Sequence, residues 1–296
     1  MISHQLDRPL HLGATVGLHQ VGRYDPTLRL GPGELWWATR TGTGPATLHV
    51  VFGDGLARAE AFGPGADDVL ARVPGLLGQH DDPSPLVAHH RVVADAVHRF
   101  PGLRMSASGA VLHALVPAVL GQRVTGQEAT RSWQDLCRRL GEPAPGPAEM
   151  LLPPDPARLA AQPAWWYHRL GIDRRRADTL RLVGARAVAI ERQATRPIGD
   201  AAIALASLPG VGAWTVAEVA SRAFGDPDAV PVGDYHLPNV VSWALAAEPR
   251  GTDERMLELL APYAGQRGRV LRLLALAGQR APVYGPRQAI VPVARL

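Results

Sequence analysis

The sequence contains no lysine. All of its 31 basic residues are arginines, and they stand against 27 acidic residues, which leaves a formal net charge of +4. A basic excess suits a protein that binds a phosphate backbone, although a GC-rich genome, which favours arginine and alanine codons, explains the composition by itself. The missing lysine removes every side-chain amine that could form a Schiff base with a sugar.

Cysteine is almost absent as well, since Cys137 is the only one. A single cysteine excludes an internal disulfide, a four-cysteine iron–sulfur cluster and a structural zinc site built on cysteines. Cys137 falls in an apolar helical pattern, which predicts an inert thiol in the core. The histidines and aspartates at 80–82 and 89–90 repeat no ligand spacing, so we expect no catalytic metal.

Long apolar runs are also missing. No run reaches the roughly 18 residues that a membrane span requires, and residues 1–8 lack the apolar core of a signal peptide. We therefore expect no membrane partner and a cytoplasmic location. The 296 residues, 46% of them apolar, fit one large domain or two to three small ones with an ample core.

Strand patterns occupy the first part of the chain and helical patterns the rest. The segments that alternate apolar and polar residues, and so predict strands, lie at 34–40, 46–52 and 56–62. Helical periodicity follows from about residue 86. The predicted organisation is a mainly α chain with an α+β N-terminal domain at 1–85, a helical region at 86–280 and a tail at 281–296.

Residues 200–224 have the pattern of a helix, a glycine hairpin and a second helix. Asp200 is predicted to cap the first helix. The hairpin, Leu208-Pro-Gly-Val-Gly212, has glycines on both sides of its turn. Gly210 and Gly212 are expected to allow positive φ, and they carry no Cβ. A phosphate could therefore approach the backbone amides at the start of the second helix.

One acid stands in the Gly/Pro-rich loop that follows. The loop, Val230-Pro-Val-Gly-Asp234-Tyr-His-Leu-Pro-Asn239, passes into a helix directly after Asp234. An aspartate at such a junction commonly caps the helix. A carboxylate there can also stabilise a positive charge that develops on a sugar, and the two roles are compatible.

Hairpin and acid together resemble the helix-hairpin-helix DNA glycosylases, in which an LPGVG-type hairpin precedes a loop with a catalytic Asp. Trp214 and the pair Asp234-Tyr235 are most similar to the bacterial inducible 3-methyladenine DNA glycosylases, the DNA-3-methyladenine glycosylase II family. The resemblance covers roughly residues 100–275 and implies two helical lobes preceded by a small α+β domain. It implies a monomeric, monofunctional enzyme that hydrolyses the N-glycosidic bond of N3- or N7-methylated purines in double-stranded DNA and so begins base excision repair.

The resemblance also assigns roles to individual residues. Asp234 is implied to be catalytic, and Trp214 and Tyr235 are implied to line the pocket for the damaged base, where an aromatic ring stacks on an electron-poor purine. The residues implied to bind the DNA backbone are Leu208, Gly210, Gly212 and Ala213. No cofactor is implied beyond a monovalent cation held by carbonyls of the hairpin.

A second turn is implied to enter the minor groove. Gln122 and Arg123 lie between a helix that contains Pro117, which we expect to kink it, and a capping box formed by Thr125 and Glu128. In the family the residue after Gln wedges into the gap left by the extruded nucleotide. Arg123 stands where the inducible enzymes have an apolar residue, and an arginine can fill the gap and contact bases or phosphates.

Several alternatives stay open. Trp214 could pack in the core, Arg123 could lie in a solvated turn, and the arginine run at 174–176 could be a solvated helix start. A non-enzymatic helix-hairpin-helix DNA-binding protein would need the hairpin but no acid at position 234. A glycosylase for another class of lesion would share the motifs, but a glycosylase/lyase is disfavoured because Trp214 occupies the position of its lysine.

Overall fold

A computed structural model of the chain describes residues 2–53 and 55–282. The predicted fold class is confirmed, because a small antiparallel sheet near the N-terminus precedes a mainly helical chain. The predicted tail lies outside the described residues except for its first two positions.

The sheet contains the three predicted strands and two shorter ones. Its strands are β1 (Ile2–Gln5), β2 (Leu28–Gly31), β3 (Glu34–Arg40), β4 (Pro45–Gly53) and β5 (Leu56–Phe62). The spatial order is β1-β5-β4-β3-β2, and every neighbouring pair is antiparallel. The side chains of Leu35, Leu48 and Val50 are fully buried on one face, as expected for a sheet with one face covered.

Fifteen α-helices lie within the described residues. The first four are α1 (Leu12–Val16), α2 (Ala66–Ala71), α3 (Val73–Leu76) and α4 (Arg91–Arg99). The central helices are α5 (Val111–Leu120), α6 (Gly126–Leu140), α7 (Pro156–Ala161), α8 (Ala164–His168), α9 (Arg174–Ala185), α10 (Ala187–Glu191), α11 (Ile198–Ala206) and α12 (Ala213–Val219). The last are α13 (Leu237–Ala246), α14 (Asp253–Leu260) and α15 (Arg267–Leu276).

The helices form two apolar clusters. The first is built by α5 to α12 around the fully buried side chains of Leu115, Trp133 and Tyr167. The second is built by α1, α4 and α13 to α15, with Val241 and Met256 fully buried. The hairpin therefore belongs to the first cluster, while the loop that carries Asp234 leads into the second.

The sequence predicts the start of α6 correctly and the start of α11 wrongly. Thr125 and Glu128 form the predicted capping box at the start of α6. Pro117 lies inside α5, as predicted. Asp200 does not cap α11, because the helix already starts after Pro197. Asp200 instead lies in the first turn, where it pairs with Arg196 at 3.5 Å and complements the helix dipole.

A buried polar network joins the sheet to the first helical cluster. Nε1 of Trp133 donates to Oδ1 of Asp25 at 3.1 Å. The Thr27 hydroxyl donates to the same carboxylate and faces Nε2 of His113 at 3.2 Å. Burial raises the pKa of Asp25 and lowers that of His113 to about 4. The network buries polar groups at this junction with their hydrogen bonds satisfied, as a stable interior requires.

Cys137 is fully buried, and burial raises the pKa of its thiol, which confirms an inert core cysteine. None of the helices in the part of the chain that the structure describes has the length and apolar character to cross a bilayer. Within the same residues, no three His, Cys, Asp or Glu side chains gather in a way that could hold a metal ion.

Candidate DNA-binding and catalytic site

The hairpin between α11 and α12 is a tight turn that depends on one glycine. Gly210 has φ of +85°, and a Cβ at this position would lie 2.0 Å from Oγ1 of Thr179. Gly212 departs from the prediction, because its φ is −101° and nothing lies within 4 Å of where its Cβ would be. Gly210 is thus required by conformation and packing, whereas Gly212 leaves open space above the start of α12.

Two apolar side chains hold this turn against the first cluster. Leu208 and Val211 are 6% and 5% exposed, while Gly212 and Ala213 face solvent. In the described residues, no carbonyl accepts a hydrogen bond from the amides of Gly212 or Ala213. The hairpin therefore presents free donors at a positively polarised helix start.

The turn after α5 is fastened to the hairpin. Nε2 of Gln122 donates to the carbonyl oxygen of Gly210 and to Oγ1 of Thr215. Arg123, the next residue, is exposed and has φ of +56°, in the left-handed region that is rare for residues other than glycine. Among residues 2–53 and 55–282, no side chain or carbonyl forms a hydrogen bond or an ion pair with the Arg123 side chain. Of the two residues predicted to enter the groove, Arg123 projects and Gln122 holds the scaffold.

Asp234 performs two structural tasks at once. Its Oδ1 accepts hydrogen bonds from the amides of His236 and Leu237, at 2.8 and 2.9 Å, and so caps the start of α13. Its Oδ2 accepts a hydrogen bond from Nε1 of Trp214 at 3.1 Å. Both oxygens are therefore oriented, while the side chain remains only partly buried.

Trp214 connects three elements. It lies in the first turn of α12, and its indole N–H donates to the carboxylate of Asp234 before α13. Its ring packs on the end of α5, since a Cβ added to Gly121 would lie 3.2 Å from Cη2 of the ring. Trp214 is half-buried rather than enclosed in the core.

Tyr235 is 80% exposed and contacts His236 edge-on, with ring centroids 4.8 Å apart. An exposed tyrosine beside the carboxylate serves no packing purpose. The structure thus brings Trp214, Asp234 and Tyr235 together at the edge between the two helical clusters.

Arg174 and Arg175 are exposed at the start of α9, as the interpretation of a solvated helix start predicts, but their position beside the hairpin was not foreseen. Arg174 and Arg175 line a depression of about 490 Å³ together with Thr179, Pro209 and Gly210. The interpretation of the arginine run as a solvated helix start is wrong for Arg176. This residue is 2% exposed, and it donates to the carbonyl of Leu120 at 2.9 Å. The run of three arginines indicates that positive charge gathers here. It does not indicate which of the three side chains is buried.

The sequence interpretation also passed over one polar residue on α12 and one on the segment that continues it. Glu218 follows Trp214 by one helical turn, and Arg222 follows Glu218 by another. Arg222 lies in a short π-helical segment, Ala220–Phe224, that continues α12, and its Nη1 donates to the Glu218 carboxylate. Segments of this type are frequent at functional sites.

No protein-family model matches the chain. The sequence is 29% identical over 196 residues to DNA-3-methyladenine glycosylase 2 of Escherichia coli (strain K12), a match that covers 64% of this chain and 64% of the relative. The matched part thus spans less than two thirds of that relative's length.

Solved structures show the same architecture. A 3-methyladenine DNA glycosylase from Archaeoglobus fulgidus superposes with a TM-score of 0.77 at 17% identity, covering 93% of this chain and 98% of that one. A Clostridium acetobutylicum 8-oxoguanine glycosylase/lyase, solved in complex with double-stranded DNA, gives 0.66 at 10% identity, with 90% of each chain covered. The chain has the fold of the helix-hairpin-helix DNA glycosylases, and its resemblance to the DNA-3-methyladenine glycosylase II type is confirmed.

Proposed function

We propose that this protein is a monofunctional DNA glycosylase that hydrolyses the N-glycosidic bond of N3- and N7-methylated purines in double-stranded DNA, acting as a monomer in the cytoplasm. The observation that carries the proposal is the oriented carboxylate of Asp234, which shares a hydrogen bond with Trp214 directly beside a hairpin with free amides. The sequence similarity to DNA-3-methyladenine glycosylase 2 supports the same reaction.

Binding begins at the DNA backbone. The exposed amides of Gly212 and Ala213 donate to a phosphate, and the open space above Gly212 lets that phosphate approach the main chain. Arg174 and Arg175 add positive charge next to the turn. Such contacts position the protein on the duplex without reading its sequence.

The hairpin carbonyls supply the oxygen ligands that a monovalent cation needs. Among the described residues, no backbone amide donates to the carbonyl of Val211 in the hairpin or to that of Ala206 at the end of α11. Free carbonyl oxygens are the kind of ligand that a hard cation takes. A cation held there would add positive charge at the point where the backbone binds.

The target nucleotide must leave the stack before its sugar can meet Asp234. Extrusion costs a few kcal/mol and costs least for a damaged base. Arg123 projects from the turn beside the hairpin and fills the gap that the nucleotide leaves. The extruded base stacks on Trp214, since a cationic purine is attracted to the face of an indole ring.

Asp234 then stabilises the reaction. Breaking the bond between C1′ and the base builds positive charge on the sugar, and a carboxylate fixed beside it lowers the barrier without reorganising. The same carboxylate orients a water molecule for attack on C1′. An alkylated purine is already cationic, so it leaves without needing a proton from the protein.

Water is the only nucleophile that this chemistry requires. The sequence has no lysine, and arginine stays protonated and cannot attack the sugar. The reaction therefore ends at an intact abasic site.

The experiment that tests this function compares wild type with Asp234→Asn on methylated duplex DNA, with the released bases identified by mass spectrometry. We expect wild type to release methylated purines, and Asp234→Asn to be slower by on the order of 10²-fold or more. The amide oxygen of the asparagine can still cap α13, but its NH2 group then faces the donating Nε1–H of Trp214, so we expect a small loss of melting temperature. Binding of a stable abasic-site analogue should stay near wild type. Excision by the variant within a few-fold of wild type contradicts the catalytic role. DNA binding by wild type without any base release would indicate a non-enzymatic DNA-binding protein.

A further inference from the structure

Arg222 occupies the far end of the helix face that begins with Trp214. Glu218 and Arg222 lie about 6 and 12 Å beyond Trp214 along the helix axis, given the rise of an α-helix. All three side chains are half-buried. They face α5, because Trp214 packs at Gly121 and Arg222 lines a small cavity with Pro117.

The hydrogen bonds of Arg222 leave part of its guanidinium unused. Nε donates to the carbonyl of Leu18 at 3.1 Å, and Nη1 donates to the carbonyl and the carboxylate of Glu218. Within the described part of the chain, no hydrogen bond uses Nη2 of Arg222. The side chain is thus fixed at two points while one donating nitrogen stays available.

The surroundings of Arg222 carry an excess of positive charge. Arg272 donates to the carbonyl of Ala14 at 2.9 Å, and burial, followed by repulsion from Arg222, lowers its pKa to about 10. His19 is neutral, because burial and the nearby arginines lower its pKa to about 3. Glu218 is the carboxylate paired with Arg222. Glu218 already accepts from Nη1, so the unused Nη2 of Arg222 is a donor that suits an acceptor on a ligand. The positive charge of the region opposes a cationic purine, but it does so equally for lesions of the guanine and the adenine type.

The cavity beside Arg222 is too small to hold a purine. Its volume is about 20 Å³, which is room for one water molecule. The rings of an extruded base would therefore lie outside it. Stacked on Trp214, as in the proposed function, they would direct their outer edge along the helix face toward Glu218 and Arg222.

We propose that Arg222 is a specificity-determining residue that donates through Nη2 to the carbonyl oxygen at C6 of the extruded purine. This inference rests on the proposed function. Lesions of the guanine type present an acceptor at C6, whereas lesions of the adenine type present an amino group, which is a donor. The site thus favours N7-alkylated guanine over N3-alkylated adenine more than stacking on Trp214 alone would.

The test uses duplex DNA treated with a methylating agent, which yields 7-methylguanine and 3-methyladenine in one sample. Initial release rates of both bases are measured by mass spectrometry for wild type, Arg222→Met and Arg222→Lys. We expect Arg222→Met to lower the ratio of 7-methylguanine to 3-methyladenine release about tenfold, the scale of one charged hydrogen bond. Arg222→Lys, which keeps a charged donor, should restore part of the ratio.

The ratio is insensitive to partial unfolding, because both rates come from the same enzyme sample. Arg91→Met is the matched control, since the side chain of Arg91 is 94% exposed on α4, and it should leave the ratio unchanged. Equal loss of both bases in Arg222→Met would overturn the role of Arg222 while leaving the glycosylase activity standing. Release of neither base by wild type would instead contradict the proposed function.

Discussion

Nε2 of Gln122 lies 2.9 Å from the carbonyl oxygen of Gly210 and 2.9 Å from Oγ1 of Thr215. One amide group therefore joins the turn after α5 to the hairpin before α12. The capping box of Thr125 and Glu128 fixes the other side of the same turn. Arg123 and the hairpin consequently form one rigid surface, and their separation is set before DNA binds.

The two hairpin glycines should respond differently to alanine. Gly210→Ala places a Cβ 2.0 Å from Oγ1 of Thr179 in a left-handed conformation, so we expect it to destabilise the fold by about 1–3 kcal/mol, as overpacking does. Gly212→Ala meets no atom and keeps an extended φ, so its melting temperature should stay near that of wild type. Thermal unfolding monitored by circular dichroism measures both.

Gly212→Ala should weaken DNA binding although it leaves the stability of the fold unchanged. Its added methyl group occupies the space through which we expect a phosphate to approach, so Gly212→Ala should weaken binding to damaged and undamaged duplexes alike. Fluorescence anisotropy at one fixed salt concentration measures this, because affinity depends steeply on salt. Unchanged affinity in this folded variant would show that no phosphate contacts the turn.

Removing the Arg123 side chain should impair extrusion more than general DNA binding. We expect Arg123→Ala to give a smaller fluorescence increase from a 2-aminopurine placed beside the lesion. Arg123→Gly is the matched variant, since glycine adopts the observed φ of +56° without strain and should raise stability by about 1 kcal/mol relative to alanine. If both variants brighten the reporter as wild type does, Arg123 does not fill the gap.

Strand cleavage should be absent. Because the chain has no lysine, borohydride added during turnover should trap no covalent protein–DNA species. DNA strands should break only after hot alkali. A trapped adduct that maps anywhere except the N-terminal amine of the protein would refute hydrolysis by water.

Acid should destabilise the fold partly through His19. Burial, and secondarily the charge of Arg222, lower the pKa of His19 from 6.5 to about 3. Between these values the unfolded chain binds a proton that the folded chain does not, so stability falls as pH decreases from about 6.5 to 3 and changes no further below. The slope is at most about 1.4 kcal/mol per pH unit, and less because residue His19 as a whole is only half-buried.

His19→Gln tests this relationship. Nε2 of His19 lies 2.7 Å from Oγ of Ser106, whose hydroxyl donates to the carbonyl of Leu76, so His19 is the donor. A glutamine amide can donate in the same way but does not titrate. Urea unfolding at pH 7 and pH 5 should show a smaller loss of stability for the variant than for wild type. Equal losses would exclude His19 as a source of the acid sensitivity.

The features predicted correctly from sequence are those with local causes. The long strands follow from alternation, the start of α6 from the pair Thr125 and Glu128, and the hairpin from its glycines. The strands β1 and β2 were missed because each has only four residues, too few to show a pattern. Positive φ was wrongly predicted for Gly212. The structure does not need a glycine there for its backbone conformation, and the missing side chain instead leaves open space above the start of α12.

The site depended on contacts between distant parts of the chain. The hydrogen bond from Trp214 to Asp234 spans 20 positions, and no periodicity encodes it. The burial of Arg176 follows from the C-terminal end of α5, where its guanidinium donates to the carbonyl of the buried Leu120. Arg222 shares a helix face with Trp214, but the role proposed for it depends on the packing of α5 against that face, which the sequence does not reveal.

The two hydrogen-bonded oxygens of Asp234 have a consequence for the energetics of the reaction. Capping α13 and accepting from Trp214 fix both torsions of the side chain during folding, so the loss of rotamer entropy is incurred once, when the chain folds. Little further ordering of this group is needed on the way to the transition state. The activation entropy of base release should therefore arise from the nucleotide and the water rather than from the protein.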